Sequence, residues 1–122
     1  MESTSMPLIW LKLYKKNWFL NILIISLVLN TVLWLLLLFR AIPTTDSVPL
    51  HYSLTFGIDW LGSWGKLFTY PVFGLVMIVF NTWLAVVMYS INKFLAILLL
   101  IIPVFAHLIA GLSIYTLLLN YY

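Results

Sequence analysis

The amino-acid sequence predicts an all-α integral membrane protein: three transmembrane helices, with an extended or β-like extracytoplasmic loop between the first two. Three observations carry this reading. The 122 residues are 65% apolar and 7% charged, against roughly 45–50% and about 25% in soluble domains. Six basic and three acidic side chains cannot solubilise a globule of 14.1 kDa, so the solvent that suits this surface is lipid. And three long stretches contain no Asp, Glu, Lys or Arg. Each is about 20 residues or more, enough at 1.5 Å per residue to cross a hydrocarbon layer of roughly 30 Å. The whole chain is read as one membrane domain.

Residues 1–16 form a cytoplasmic or interfacial N-terminus. From Met6 to Lys16 the pattern suits a short helix on the inner membrane surface. Lys12, Lys15 and Lys16 gather on one side of it, with Trp10, Tyr14 and Trp18 on the other. A cytoplasmic extension of the first span with snorkelling lysines fits the same residues. The first span covers 17–39, between Lys16 and Arg40. Its apolar run exceeds the roughly 7–15 residues of a signal-peptide core, and Arg40-Ala41-Ile42-Pro43 is a poor cleavage site, so it is expected to remain as an anchor. The loop occupies 40–70. The second span covers 71–90, opening on Pro71, a residue suited to a first helical turn. A cytoplasmic turn at 91–93 leads to the third span at 94–115, followed by an extracytoplasmic tail at 116–122.

Basic residues set the orientation. Lys12, Lys15 and Lys16 precede the first span and Lys93 lies in the second turn, whereas the loop mixes Arg40 and Lys66 with Asp46 and Asp59. The N-terminus is therefore expected in the cytoplasm, and the loop and C-terminus outside the cell membrane. Aromatic residues mark the same boundaries: Trp10 and Trp18 inside, and Trp60, Trp64, Tyr70, Tyr115, Tyr121 and Tyr122 outside. The scattered basic residues form no phosphate-binding stripe, which excludes nucleic acid as a partner. With no cysteine, disulfides, thiolate catalysis and Cys-based zinc sites are excluded too. No cofactor fingerprint is present.

The loop is the unusual segment, because so long a connection in a small protein is usually functional or disordered. From Val48 to Trp60 the apolar residues take every second place (Val48, Leu50, Tyr52, Leu54, Phe56, Ile58 and Trp60). Such alternation predicts an extended strand with one wet face. Pro49 fits near its start or at a sheet edge. Leu61, Trp64, Leu67 and Phe68 then recur at helical spacing, predicting a short interfacial helix before the second span. An unpaired strand is costly beside lipid, so it must turn back near Gly57, lie in water, or pair with another chain. Its apolar face is expected on the membrane surface or the helix ends, burying Leu54, Phe56 and Trp60.

Pro49-x-His51-Tyr52, followed by Gly57, Asp59 and Lys66, resembles the extracytoplasmic motif of SdpI-type membrane proteins. That family carries a proline, a histidine followed by an aromatic residue, then a glycine, an aspartate and a lysine after its first span. A proline opens the next span, as Pro71 does here. The resemblance implies a role in immunity to a secreted toxin or in signal reception. With the alternation, it makes Pro49, His51, Tyr52, Gly57, Asp59, Trp60 and Lys66 the candidate recognition residues. A metal held by His51 and Asp59 needs a turn at Gly57, since on a straight strand they stand about 26 Å apart; no metal site is assigned.

Within the spans, Asn30 and Thr31, Asn81 and Thr82, and His107 fall within roughly 5 Å of one depth. Intramembrane ionisable residues are functional candidates by default. A layer with one imidazole and no carboxylate is better read as interhelical hydrogen bonds, with Asn30, Asn81 and His107 as its members. Pro103, His107 and Gly111 share one helix face, a natural packing seam with a kink at Pro103. The expectation is a non-enzymatic membrane protein acting through its outer loop, with a membrane-protein partner or a second copy of itself. An accessory subunit of a larger complex, or an oligomeric transporter component, accounts for the same residues.

Overall fold

The computed structural model describes residues 6–53 and 55–121. It comprises α1 (Met6–Tyr14), α2 (Asn17–Arg40), β1 (Val48–Ser53), β2 (Gly57–Gly62), a 3₁₀ helix (Trp64–Phe68), α3 (Thr69–Tyr89) and α4 (Lys93–Tyr121). Three helical stretches are long and apolar enough to cross a membrane: Asn17–Arg40, Trp64–Tyr89 and Lys93–Asn120. An antiparallel hairpin, β1 with β2, stands between the first and second of these. The predicted membrane architecture and β-like loop are both present.

The element ends follow from local chemistry. α1 is a helix of its own, because Lys16 takes an extended conformation (φ −89°, ψ 119°) between it and α2. Of the two readings of residues 6–16, the separate helix is the one formed. Its Ile9 and Leu13 are buried against the α1 end of the bundle, while Lys12 stays exposed. The side chains of Trp10 and Tyr14, expected on its far side, lie outside the described residues. α2 stops where Ala41 turns extended, two residues before Pro43. At the α3–α4 turn the Asn92 side chain accepts the Leu95 amide at 3.2 Å, an N-terminal cap that lets the turn be short. α4 corrects one boundary: the expected tail at 116–122 is helical through Tyr121. Thr116 and Asn120 are accommodated there because their side chains bond the carbonyls one turn back, Leu112 at 2.8 Å and Thr116 at 2.8 Å. The side chain of Tyr121, and Tyr122, lie outside the described residues.

Packing has two apolar layers with polar residues between. At the α1 end, Ile9, Leu13, Phe19, Ala85, Val86, Ala96 and Leu100 pack together. At the hairpin end, Leu33 and Leu37 of α2 and Ile114, Leu117 and Leu118 of α4 enclose Val48, Leu50 and Leu67. The hairpin is thus seated on the helices, through β1. Between these layers lie the buried polar residues Ser26, Asn30, Asn81, Thr82 and His107. Among the described residues every fully buried side-chain nitrogen or oxygen has a hydrogen-bond partner. Lipid tails are as apolar as leucine, so such bonds and close packing hold the helices together, rather than hydrophobic burial.

Candidate functional site

The hairpin closes through a three-residue connection. Ser53 Oγ accepts the amides of Thr55 at 3.1 Å and Phe56 at 3.2 Å, and Gly57 turns the chain with φ +71°. This is the turn chemistry of a hairpin whose first residue after the connection needs the left-handed region, which glycine enters without steric penalty. Ser53 pairs with Gly57 and Tyr52 with Ile58, while further along Pro49 pairs with Leu61 and Val48 with Gly62. Between these regular stretches an irregularity pairs His51 with Trp60, which leaves Asp59 beside His51 in the bulge. The result is a contact of 2.6 Å between His51 Nδ1 and Asp59 Oδ1. Folding at Gly57 thus brings together two residues that a straight strand would hold far apart.

The carboxylate accepts from Nδ1–H, which leaves Nε2 as the ring nitrogen that Asp59 does not engage. Both side chains are more than one third exposed, where such a pair stabilises a fold by about 0–1 kcal/mol. Stability is therefore a weak reason for placing it there. Among the described residues no group of three His, Asp or Glu gathers to hold a metal, so the pair stands without a third ligand.

The other loop residues divide. Pro49 and Tyr52 lie on β1, with Tyr52 packed against the core at the hairpin end. Trp60 lies on β2 beside His51. Lys66 sits in the 3₁₀ helix and forms no ion pair with Asp46 or Asp59 among the described residues. Burial of the apolar face needs correction. Val48 and Leu50 are the buried ones, whereas Phe56 is 82% exposed and Ile58 and Trp60 are also exposed. Phe56 falls in the turn, and β1 is the strand that packs on α4, so β2 is the less covered of the two. Leu54 lies outside the described residues.

Inside the bundle the expected polar layer separates into two sites. In the first, Asn30 Nδ2 donates to the Pro71 carbonyl at 2.8 Å and lies 3.1 Å from His107 Nε2. His107 Nδ1 is 2.6 Å from the Pro103 carbonyl. A carbonyl only accepts, so the proton sits on Nδ1 and Nε2 receives the second hydrogen of Asn30. In the second site, Asn81 Nδ2 donates to the Leu99 carbonyl at 3.1 Å. Pro103 has no N–H, so the carbonyl four residues before it lacks its helical donor. Asn81 supplies that donor from the neighbouring helix. Grouping Asn81 with Asn30 and His107 at one depth is thereby corrected: His107 and Asn30 meet α3 at Gly74, seven residues from Asn81, or roughly 10 Å along the helix. Thr31 bonds within its own helix, to the Leu27 carbonyl at 2.9 Å.

Gly74 is the residue that sequence reasoning missed. A Cβ there would lie 2.5 Å from His107 Nε2 and 3.1 Å from Asn30 Nδ2, so the imidazole crosses α3 only because position 74 has no side chain. A glycine in an apolar span was the available signal. Gly111, favoured from the sequence, is less constrained: a Cβ there meets Leu33 at 3.5 Å, an ordinary contact.

A groove connects the two histidine sites. It has a volume of about 670 Å³ and runs between α3 and α4, with Leu33 of α2 at its base and His51 and Trp60 of the hairpin at one end. His107 and Gly74 line it deeper in the bundle. Tyr70 holds the hairpin over the groove by donating its hydroxyl to the Leu50 carbonyl at 2.7 Å. Comparison with protein-family models, with curated proteins and with solved structures finds no match to this chain.

Proposed function

We propose that this chain is a small, non-enzymatic, multi-pass membrane protein that works by recognition, receiving a protein partner on its hairpin. In this reading the N-terminus and the α3–α4 turn face the cytoplasm, and the hairpin and C-terminus lie outside the cell membrane, as the lysines at positions 12, 15, 16 and 93 favour. The observation that carries the reading is the state of β2. Strand β1 is seated on the helices, while Ile58, Asp59, Trp60 and Leu61 of β2 are exposed. Among the described residues the sheet has two strands, so β2 has an edge open to an added strand. Five of the residues that resemble the SdpI-type motif (Pro49, His51, Tyr52, Gly57 and Asp59) fall on this hairpin, in keeping with immunity or signal reception.

Photo-crosslinking in native membranes tests the proposal. A crosslinking residue at Ile58 or Leu61 should give a discrete adduct of higher mass, and one at lipid-exposed Val79 should not. Asp59→Asn should weaken the hairpin adduct severalfold. The same adducts from all three positions, or none from the hairpin, would overturn the reading.

A further inference from the structure

We propose that the groove between α3 and α4 binds a neutral glycerolipid of the diacylglycerol type, its hydroxyl at His51 and an acyl chain along the helices. This goes beyond recognition at β2, and it does not require a protein partner.

The groove is open to the bilayer. Phe73 on α3 and Ile109 on α4 line it and are each 68% exposed, on helices long and apolar enough to span a membrane. A chain can enter sideways without leaving lipid. The space exists because the lining is small where the helices meet: Gly74, Ala106 and Ala110 contribute almost no volume. Its size falls within the roughly 300–1,000 Å³ usual for small-molecule sites.

Polarity runs along its length in the sense of an amphiphile. His51, Trp60, Thr69 and Tyr70 gather at the hairpin end, whereas Met77 and Ala106 line the deeper part. His107 also lines the groove, yet it is 2% exposed and both its ring nitrogens are already bonded. It offers a head group nothing, and the polar end of the ligand therefore belongs at the hairpin.

Charge narrows the head group. Among the described residues no lysine or arginine lines the groove. The imidazole at its mouth is held against the Asp59 carboxylate at 2.6 Å, so a phosphate there would face that carboxylate with no lysine or arginine to offset it. An uncharged head avoids that repulsion. With Nδ1 committed to Asp59, Nε2 is the ring nitrogen left for a ligand, and a hydroxyl pairs with it either by donating to a lone pair or by accepting from an N–H. A free glycerol hydroxyl beside an acyl ester meets both conditions.

The test uses the full chain in phosphatidylcholine nanodiscs with a diacylglycerol carrying a photoactivatable diazirine in one acyl chain. Mapped by mass spectrometry, label should concentrate at Phe73, Met77 and Ile109 over the lipid-exposed controls Val79 and Leu119. Unlabelled diacylglycerol should compete about tenfold better than phosphatidylglycerol with the same chains. Ala106→Phe should reduce groove labelling severalfold, with helix content by circular dichroism reporting its folding. His51→Phe leaves the helices untouched; it should keep the chain in the groove but abolish the preference for diacylglycerol. Uniform labelling of groove and controls would overturn the site, and equal competition by phosphatidylglycerol would overturn the neutral head group. Neither result bears on crosslinking at β2, which is read in native membranes from different positions.

Discussion

Gly74 governs the interior of this protein at the scale of single residues. Its missing side chain admits the His107 imidazole, and Asn30 then divides its two amide hydrogens between that ring and the Pro71 carbonyl. Adding one methyl group must displace this arrangement, at about 1–3 kcal/mol for an overpacked site. Gly74→Ala should lower resistance to unfolding in mixed micelles by that amount, while Gly111→Ala should remain within about 0.5 kcal/mol of the parent, the usual range for an unconstrained change. Equal losses at both positions would show that the close approach at Gly74 is not limiting. Because His107 meets its partners through hydrogen bonds, His107→Gln should retain the fold; unfolding of this variant in detergent would give the imidazole a larger structural share.

At the scale of elements, α4 carries a defect that α3 repairs. Pro103 leaves the Leu99 carbonyl without its helical donor, and Asn81 replaces it. Asn81→Leu should therefore cost about 0.6–2 kcal/mol, the range for interhelical hydrogen bonds in a membrane. Pro103→Ala restores an N–H to α4, so in that background the Asn81→Leu loss should shrink. A double-mutant cycle measures the coupling, and additive losses would refute the repair. The hairpin is the other element with a clear dependence. It is seated by Leu50, which is completely buried, and by Tyr70 on the Leu50 carbonyl. In nanodiscs, hydrogen exchange should be slower at paired amides from Tyr52 to Trp60 than from Thr44 to Ser47. Leu50→Ala, a core truncation of about 2–5 kcal/mol, should erase the difference. Exchange at one rapid rate across both segments would reduce the hairpin to a tether.

For the whole molecule, the decisive measurement is orientation. The cluster of Lys12, Lys15 and Lys16 before the first span predicts a cytoplasmic N-terminus, which puts Ser47 outside the cell and Asn92 inside. The chain has no cysteine, so a single one can be introduced at either place. An impermeant thiol reagent should label Ser47→Cys on intact cells and Asn92→Cys only after lysis. The reverse pattern would invert the molecule and put the hairpin, with its exposed strand, on the cytoplasmic side.

The sequence by itself determined the solvent, the three spans and the extended character of the loop. These follow from composition and short-range period, since lipid demands long uncharged helices and alternation demands a strand. It also marked His51, Asp59, Asn30 and His107 as residues needing an explanation. Only the tertiary structure decided their partners. Whether His51 meets Asp59 depends on where the chain turns and in what register it pairs, and a shift of one residue would change every cross-strand neighbour. The separation of Asn81 from His107 likewise depends on a carbonyl orphaned by Pro103 on another helix. A groove is a space between elements, formed where Gly74, Ala106 and Ala110 face one another. No local pattern records such a meeting, because it is fixed by contacts between residues far apart in the chain.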